Sequence, residues 1–194
     1  MCEILEKIKD LTPEQLLQKY DVEMTPPIDL AKLIKNIGIS SYPYEFDLVE
    51  KDANVKRGNI IGAALSFGDR LHILYSKNLT PEQARVTIAH ELGHCCLHAK
   101  GLEVDHIRLH SSINDIGIDD IQEKQADRYA ENLLMPLELL NHICSLLIKP
   151  TVTAVADIFQ VPISFAKKRL QRVSQYEIID DSFTETEVGE NSDE

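Results

Sequence analysis

The chain has 194 residues, 43% of them hydrophobic and 27% charged, which excludes a disordered or fibrous protein and allows one domain with a core of its own. No apolar run approaches the roughly 20 residues of a membrane span, and charge from Glu3 onward excludes a secretory leader, so the expected location is the cytoplasm. The net charge of −12 is uneven: residues 177–194 hold eight acids and no base, so −12 less the tail's −8 leaves −4 for the rest.

The same four residues open two helices. In Thr12-Pro13-Glu14-Gln15 and Thr80-Pro81-Glu82-Gln83 the threonine can cap, proline suits the first helical position, and glutamine can reach back to the cap. The first starts a helix over about 13–20, and another follows at 29–36, closed by Gly38. Residues 39–44 give a weak strand signal. Residues 59–67 and 70–76 give stronger ones, separated by Gly68-Asp69, a two-residue hairpin signal. The second capping pattern launches a helix from Pro81 to about Lys100, which Gly101 is placed to close. Residues 102–118 read as loop. A helix capped by Asp119 or Asp120 ends near Met135, because Pro136 cannot continue it and opens a new helix instead. Lys149-Pro150 stops that one. Two short helices, 152–159 and 164–173, finish the pattern around Val161-Pro162. Helices, a small antiparallel sheet, then helices predict an α+β fold. The expected division is a core at 1–148, a helix-turn-helix-like segment at 149–176 and a disordered acidic tail at 177–194.

Inside the 81–100 helix stands His90-Glu91-Leu92-Gly93-His94, an HExxH. Four residues advance a helix by little more than a turn, so both imidazoles project from one face, spaced for one tetrahedral Zn²⁺. Glu91 then lies beside the metal, where it can hold a water as general base. A catalytic zinc needs a third protein ligand. The pattern with a third histidine fails, because Leu97 and Lys100 stand where glycine and histidine would be. Glu123, 29 residues after His94, opens an ExxxD, and on a helix it shares a face with Asp127. Glu123 can ligate while Asp127 takes the outer N–H of a ligand histidine. Glu131, on the same face, is a weaker substitute ligand. The bland alternative is a solvated acidic helix face.

HELGHCCLH at 90–98, followed by EKQADRYAENLLMP at 123–136, resembles the ImmA/IrrE family of metallopeptidases. The likeness extends to Pro27–Leu30 and Ile37–Ile39 and to residues 152–173, or about 25–175 in all. Gln125, Asp127 and Tyr129 depart from that family's usual glutamate, asparagine and phenylalanine; Gln125 removes a competing acid and Asp127 keeps an acceptor. The resemblance implies a zincin-like zinc endopeptidase that cleaves a transcriptional repressor, often one guarding a mobile element or a stress response. The expected cofactor is Zn²⁺, with Mn²⁺ as another divalent possibility.

The task is hydrolysis near neutral pH. Glu91 would accept a proton from the attacking water and deliver it to the departing amine. His98, His106, His110 and Tyr129 are candidates to stabilise the tetrahedral intermediate, each more simply read as packing or surface. His72 and His142 are structural by default. Cys95 and Cys96 turn away from the metal face, and all four cysteines read as reduced thiols. The 70–76 strand is a candidate edge for an extended substrate. The competing reading is a DNA- or repressor-binding module built on 151–173, where Lys167, Lys168, Arg169 and Arg172 cluster, with the repressor preferred over DNA as what they grip.

Overall fold

A computed structural model describes residues 2–46, 60–99, 107–111, 119–173 and 177–182. Three short helices come first: α1 (Glu3–Ile8), α2 (Pro13–Lys19) and α3 (Leu30–Ile37). Strands β1 (Ser40–Tyr44), β2 (Ile60–Phe67) and β3 (Arg70–Ser76) precede the long helix α4 (Pro81–Leu97). Strand β4 (Ile107–Ser111) is followed by α5 (Asp119–Leu134), α6 (Leu137–Leu146), α7 (Val152–Phe159) and α8 (Ile163–Val173). The fold is mixed α+β, as expected. None of its described helices is long and apolar enough to cross a membrane.

The capping boxes form at both repeats. Thr12 Oγ1 accepts from the Gln15 backbone N–H at 3.3 Å, and Gln15 Oε1 accepts from the Thr12 N–H at 3.0 Å. Thr80 and Gln83 repeat this at 3.3 and 2.9 Å, each box satisfying two otherwise orphaned N–H groups. Gly38, at φ +91°, closes α3 in the left-handed region that glycine enters without strain. The first helix, α1, has no counterpart in the sequence reading. It spans less than two turns and has no side-chain cap, so three apolar residues, Ile4, Leu5 and Ile8, carry its whole signal.

The sheet order is β1-β3-β2-β4. Strands β2 and β3 form the expected hairpin, with Phe67 opposite Arg70. Strand β1, however, runs parallel to β3, with Ser40 opposite His72 and Tyr44 opposite Ser76. The sheet is therefore mixed, which corrects the antiparallel expectation. A two-residue turn forces antiparallel pairing only on the strands it joins, and β1 arrives separately from α3. A second correction is β4, which lies in a stretch expected to be loop and pairs antiparallel with β2. Five residues alternating apolar and polar are too short a run to stand out. These pairings also leave β3 flanked on both sides, so it cannot accept a substrate strand.

Helix α4 is the centre of the molecule. It packs on β2 and β3, on α5, and on α1. Every residue from Ala89 to Cys96 is buried. It ends at Leu97, not Lys100, with His98 as its C-cap; Gly101 lies outside the described residues. The amino-terminal segment fastens that end. The Asp10 N–H donates to the Cys96 carbonyl at 2.8 Å, and the Tyr129 hydroxyl of α5 donates to the Leu11 carbonyl at 3.2 Å. Leu5, Ile8, Leu16 and Leu17 complete a core with Leu92 and Leu133.

At the other end α7 packs on α8. The acidic segment was expected to be disordered from 177, and this is corrected for residues 177–182. Ile179 bridges to Thr151, Ile178 packs on the core, and Asp181 Oδ1 accepts from the Thr153 N–H and hydroxyl, both at 2.9 Å. Two isoleucines and a capping acid outweigh the segment's average polarity. Residues 183–194 lie outside the described ones.

Candidate metal centre

Three polar side chains buried on one helix set the problem for this site. His90, Glu91 and His94 are 3%, 0% and 0% exposed, and burial without partners would cost several kcal/mol each. Helix α5 supplies partners for the two histidines, and Gly93 lets it come close. A Cβ at position 93 would stand 3.0 Å from Tyr129 Cβ and 3.2 Å from the Ala126 backbone, tighter than most packed atoms come, so the helices would have to give by a few tenths of an ångström. The absent side chain thus brings Glu123 and Asp127 up to the histidines.

His90 Nε2 and His94 Nε2 face each other at 3.0 Å. Glu123 spans both, with Oε2 3.1 Å from His90 Nε2 and Oε1 3.2 Å from His94 Nε2. One atom from each of the three lies within 4.8 Å of the others. Four ligands at 2.0–2.1 Å around a tetrahedral ion are about 3.3 Å apart, so this triangle needs little change to hold one. Each histidine also has an outer partner. His90 Nδ1 lies 3.1 Å from Asp127 Oδ1, and since a carboxylate only accepts, Nδ1 carries a proton; when the ring gives up its second proton, the lone pair is left on Nε2. His94 Nδ1 lies 3.1 Å from His98 Nδ1. Two inward lone pairs and a carboxylate at one point suit a divalent cation. Glu123 is about a third exposed, so the cluster opens to the surface on the α5 side.

Electrostatics agree. Burial works against a charged His90, yet hydrogen bonds to Asp127 and Glu123, helped by the Glu91 charge, raise its pKa to about 9. Burial would likewise raise Asp127, but hydrogen bonds from His90 and Lys168 hold it at about 2. The cluster is short of positive charge. A proton on His90 meets that need, and a metal ion would meet it better.

The family model Peptidase_M78, the IrrE N-terminal-like domain, matches residues 52–171, well over half of the chain. The chain belongs to this family. No curated protein matches it. The match covers both motif helices of the IrrE N-terminal-like domain and continues through most of α8; the likeness read at 27–39 lies ahead of it. Membership carries the general chemistry of metallopeptidases.

Around the cluster of the IrrE N-terminal-like domain, other residues find their places. Glu131, considered as a substitute ligand, turns away: it is buried and its Oε2 accepts from Arg172 at 2.7 Å. Tyr129 bonds to the Leu11 carbonyl and to Cys96 Sγ at 3.2 Å, which removes it from the reaction centre; burial pushes the Cys96 thiol up to about 12. All four cysteines are buried and outside any disulfide. His72 sits edge-on to Tyr42 in the sheet, and His142 is exposed on α6. His106 lies outside the described residues, and His110 pairs with Gly62 in the β4–β2 register. Gly62 itself was missed. A Cβ there would be 2.6 Å from Glu91 Oε1 and from Thr87 Cγ2, so a bare backbone on β2 makes room for the Glu91 carboxylate. Only the packing of strand on helix reveals this.

The basic cluster of α8 makes its contacts within the chain. Lys167 pairs with Asp180 at 2.8 Å and Lys168 with Asp127 at 2.9 Å. Arg169, 4% exposed, donates to the Met135 carbonyl, and Arg172 holds Glu131. These pairings offset part of the cluster's charge, while Lys168 and Arg172 remain 49% and 39% exposed.

Proposed function

We propose that this protein is a zinc-dependent, site-specific endopeptidase of the cytoplasm that cleaves a transcriptional repressor, with His90, His94 and Glu123 as metal ligands. The observation that carries the reading is the triangle of two imidazole Nε2 atoms and one carboxylate, with sides of 3.0–3.2 Å. Zinc in such a set acidifies water and polarises a carbonyl oxygen. Mn²⁺ is a second candidate ion. Asp127 holds the proton on His90 Nδ1 and so keeps the inward nitrogen available. Glu91, buried next to His90 and given room by Gly62, serves as the general base and then passes its proton to the leaving amine.

The peptidase unit extends through α8 in this reading, because Lys168 braces the acid that orients His90 and the family match runs to residue 171. The helix-turn-helix-like outline of α7 and α8 then serves the metal centre from behind. The repressor as substrate is what the resemblance to the ImmA/IrrE family suggests.

The test incubates zinc-loaded protein with the helix-turn-helix repressor encoded beside its own gene and reads cleavage by mass spectrometry. One defined cut is expected from the wild type. Glu91→Gln should bind zinc normally and lose cleavage by at least about 10²-fold, while Glu123→Ala should lose metal affinity. Full activity in Glu91→Gln would remove Glu91 from the mechanism, and unchanged zinc affinity in Glu123→Ala would remove the third ligand.

A further inference from the structure

The outer face of His94 carries a feature that nothing above uses. His98 stands one turn further along, as the C-cap of α4, with Nδ1 3.1 Å from His94 Nδ1 and Nε2 2.9 Å from Gln125 Oε1 of α5. We infer that His98 and Gln125 are a positioning pair that fixes His94 as a metal ligand, the counterpart of Asp127 on His90. The inference rests on the metal-centre reading above.

The argument is one of donors and acceptors. For His94 to present a lone pair at Nε2, its ring proton must be on Nδ1. That N–H points at His98 Nδ1, which must then accept, so the His98 proton sits on Nε2. From there it faces an amide oxygen, which can only accept. Every link is consistent in one direction. Run in reverse, the chain would start from the Gln125 amide NH₂ and would end with a proton on His94 Nε2, between the ring and any cation. With its amide oxygen toward His98, the side chain at 125 favours the first direction. Gln125 is also a departure from the residue usual in this family, and a carboxylate there would force the same direction, since it has no proton to give. Glu123, Gln125 and Asp127 thus divide the work on one helix, as ligand, partner of the His94 relay and partner of His90.

A packing role and a positioning role predict opposite orders among simple variants. His98→Phe keeps the ring and its bulk but offers no acceptor. His98→Asn loses volume but places an amide oxygen near the former Nδ1. Gln125→Glu keeps an acceptor, and Gln125→Met does not. The measurement is Zn²⁺ affinity of the full chain, by competition with a chromogenic chelator, together with the visible spectrum of the Co²⁺-loaded protein. His98→Phe should bind zinc about 10–100-fold more weakly than the wild type and shift the Co²⁺ bands. His98→Asn should stay close to the wild type. Gln125→Met should weaken binding, and Gln125→Glu should match or exceed the wild type. If His98→Phe binds as tightly as the wild type, or His98→Asn is as weak as His98→Phe, the inference is overturned. Should His98→Phe fail to fold when stripped of metal, the two Gln125 variants decide alone, and equal affinities there overturn it. A wild type that binds no zinc at all would instead sink the metal-centre reading.

Discussion

At His90 a proton and a metal ion compete for one nitrogen. With its pKa raised to about 9, the stripped protein keeps this imidazole protonated at neutral pH, while a ligand imidazole must be neutral. Zinc uptake at pH 7 should therefore release about one proton per ion, measurable by titration calorimetry in buffers of different ionisation enthalpy. Binding without proton release would contradict the assignment. The sign for stability follows. Because the folded pKa lies above the ordinary 6.5, the contribution is fully present below about pH 6.5 and is lost as the pH rises through about 9. Chelator-treated protein should melt at lower temperature across that window, and zinc-loaded protein should not follow it. HExxH was legible at this scale because the two histidines and the glutamate lie on one helix, where spacing alone sets direction. Asp127 was legible for the same reason, four residues after Glu123. The roles of Gly62, Gly93, His98 and Gln125 depend on how closely two separate elements approach, and no spacing within one element reports that.

Between elements, the acids of α5 and the bases of α8 form the contact that sequence composition misread. Four basic residues close together suggested an outward surface, because composition gives charge without direction. The structure pairs them with Asp127, Glu131, Asp180 and the Met135 carbonyl. Glu131 is 1% exposed and leans on Arg172 at 2.7 Å. Arg172→Ala should leave that carboxylate buried without its nearest cation, at a cost of about 3 kcal/mol in urea unfolding. Arg172→Ala combined with Glu131→Met should recover much of the loss. A single-variant cost under about 1 kcal/mol would reduce the pair to an ordinary surface ion pair. The helices with capping boxes were read to the residue at their starts, which Thr12 and Thr80 declare, and less closely at their ends. Strand order was not, because no tight turn joins β1 to its parallel partner β3, and an isolated five-residue strand does not announce which edge it will take.

For the molecule as a whole, a central helix carries the reactive groups and the other layers exist to enclose it. The sheet covers one side of α4, α5 another, and α1 lies against it as well. A hydrophobic core built around HExxH explains how three polar side chains remain buried, and why the metal and the fold should be coupled. Ligand at 1,000 times its dissociation constant stabilises a protein by about 4 kcal/mol, so removing zinc should lower the melting temperature markedly. The central claim, however, concerns which atoms hold the ion. X-ray absorption at the zinc edge reads them directly. The account predicts one zinc per chain, with nitrogen and oxygen neighbours at about 2.0–2.2 Å and the multiple-scattering signature of two imidazoles. A sulfur shell at about 2.3 Å, from Cys95 or Cys96, or a signal from fewer than two imidazoles, would contradict it.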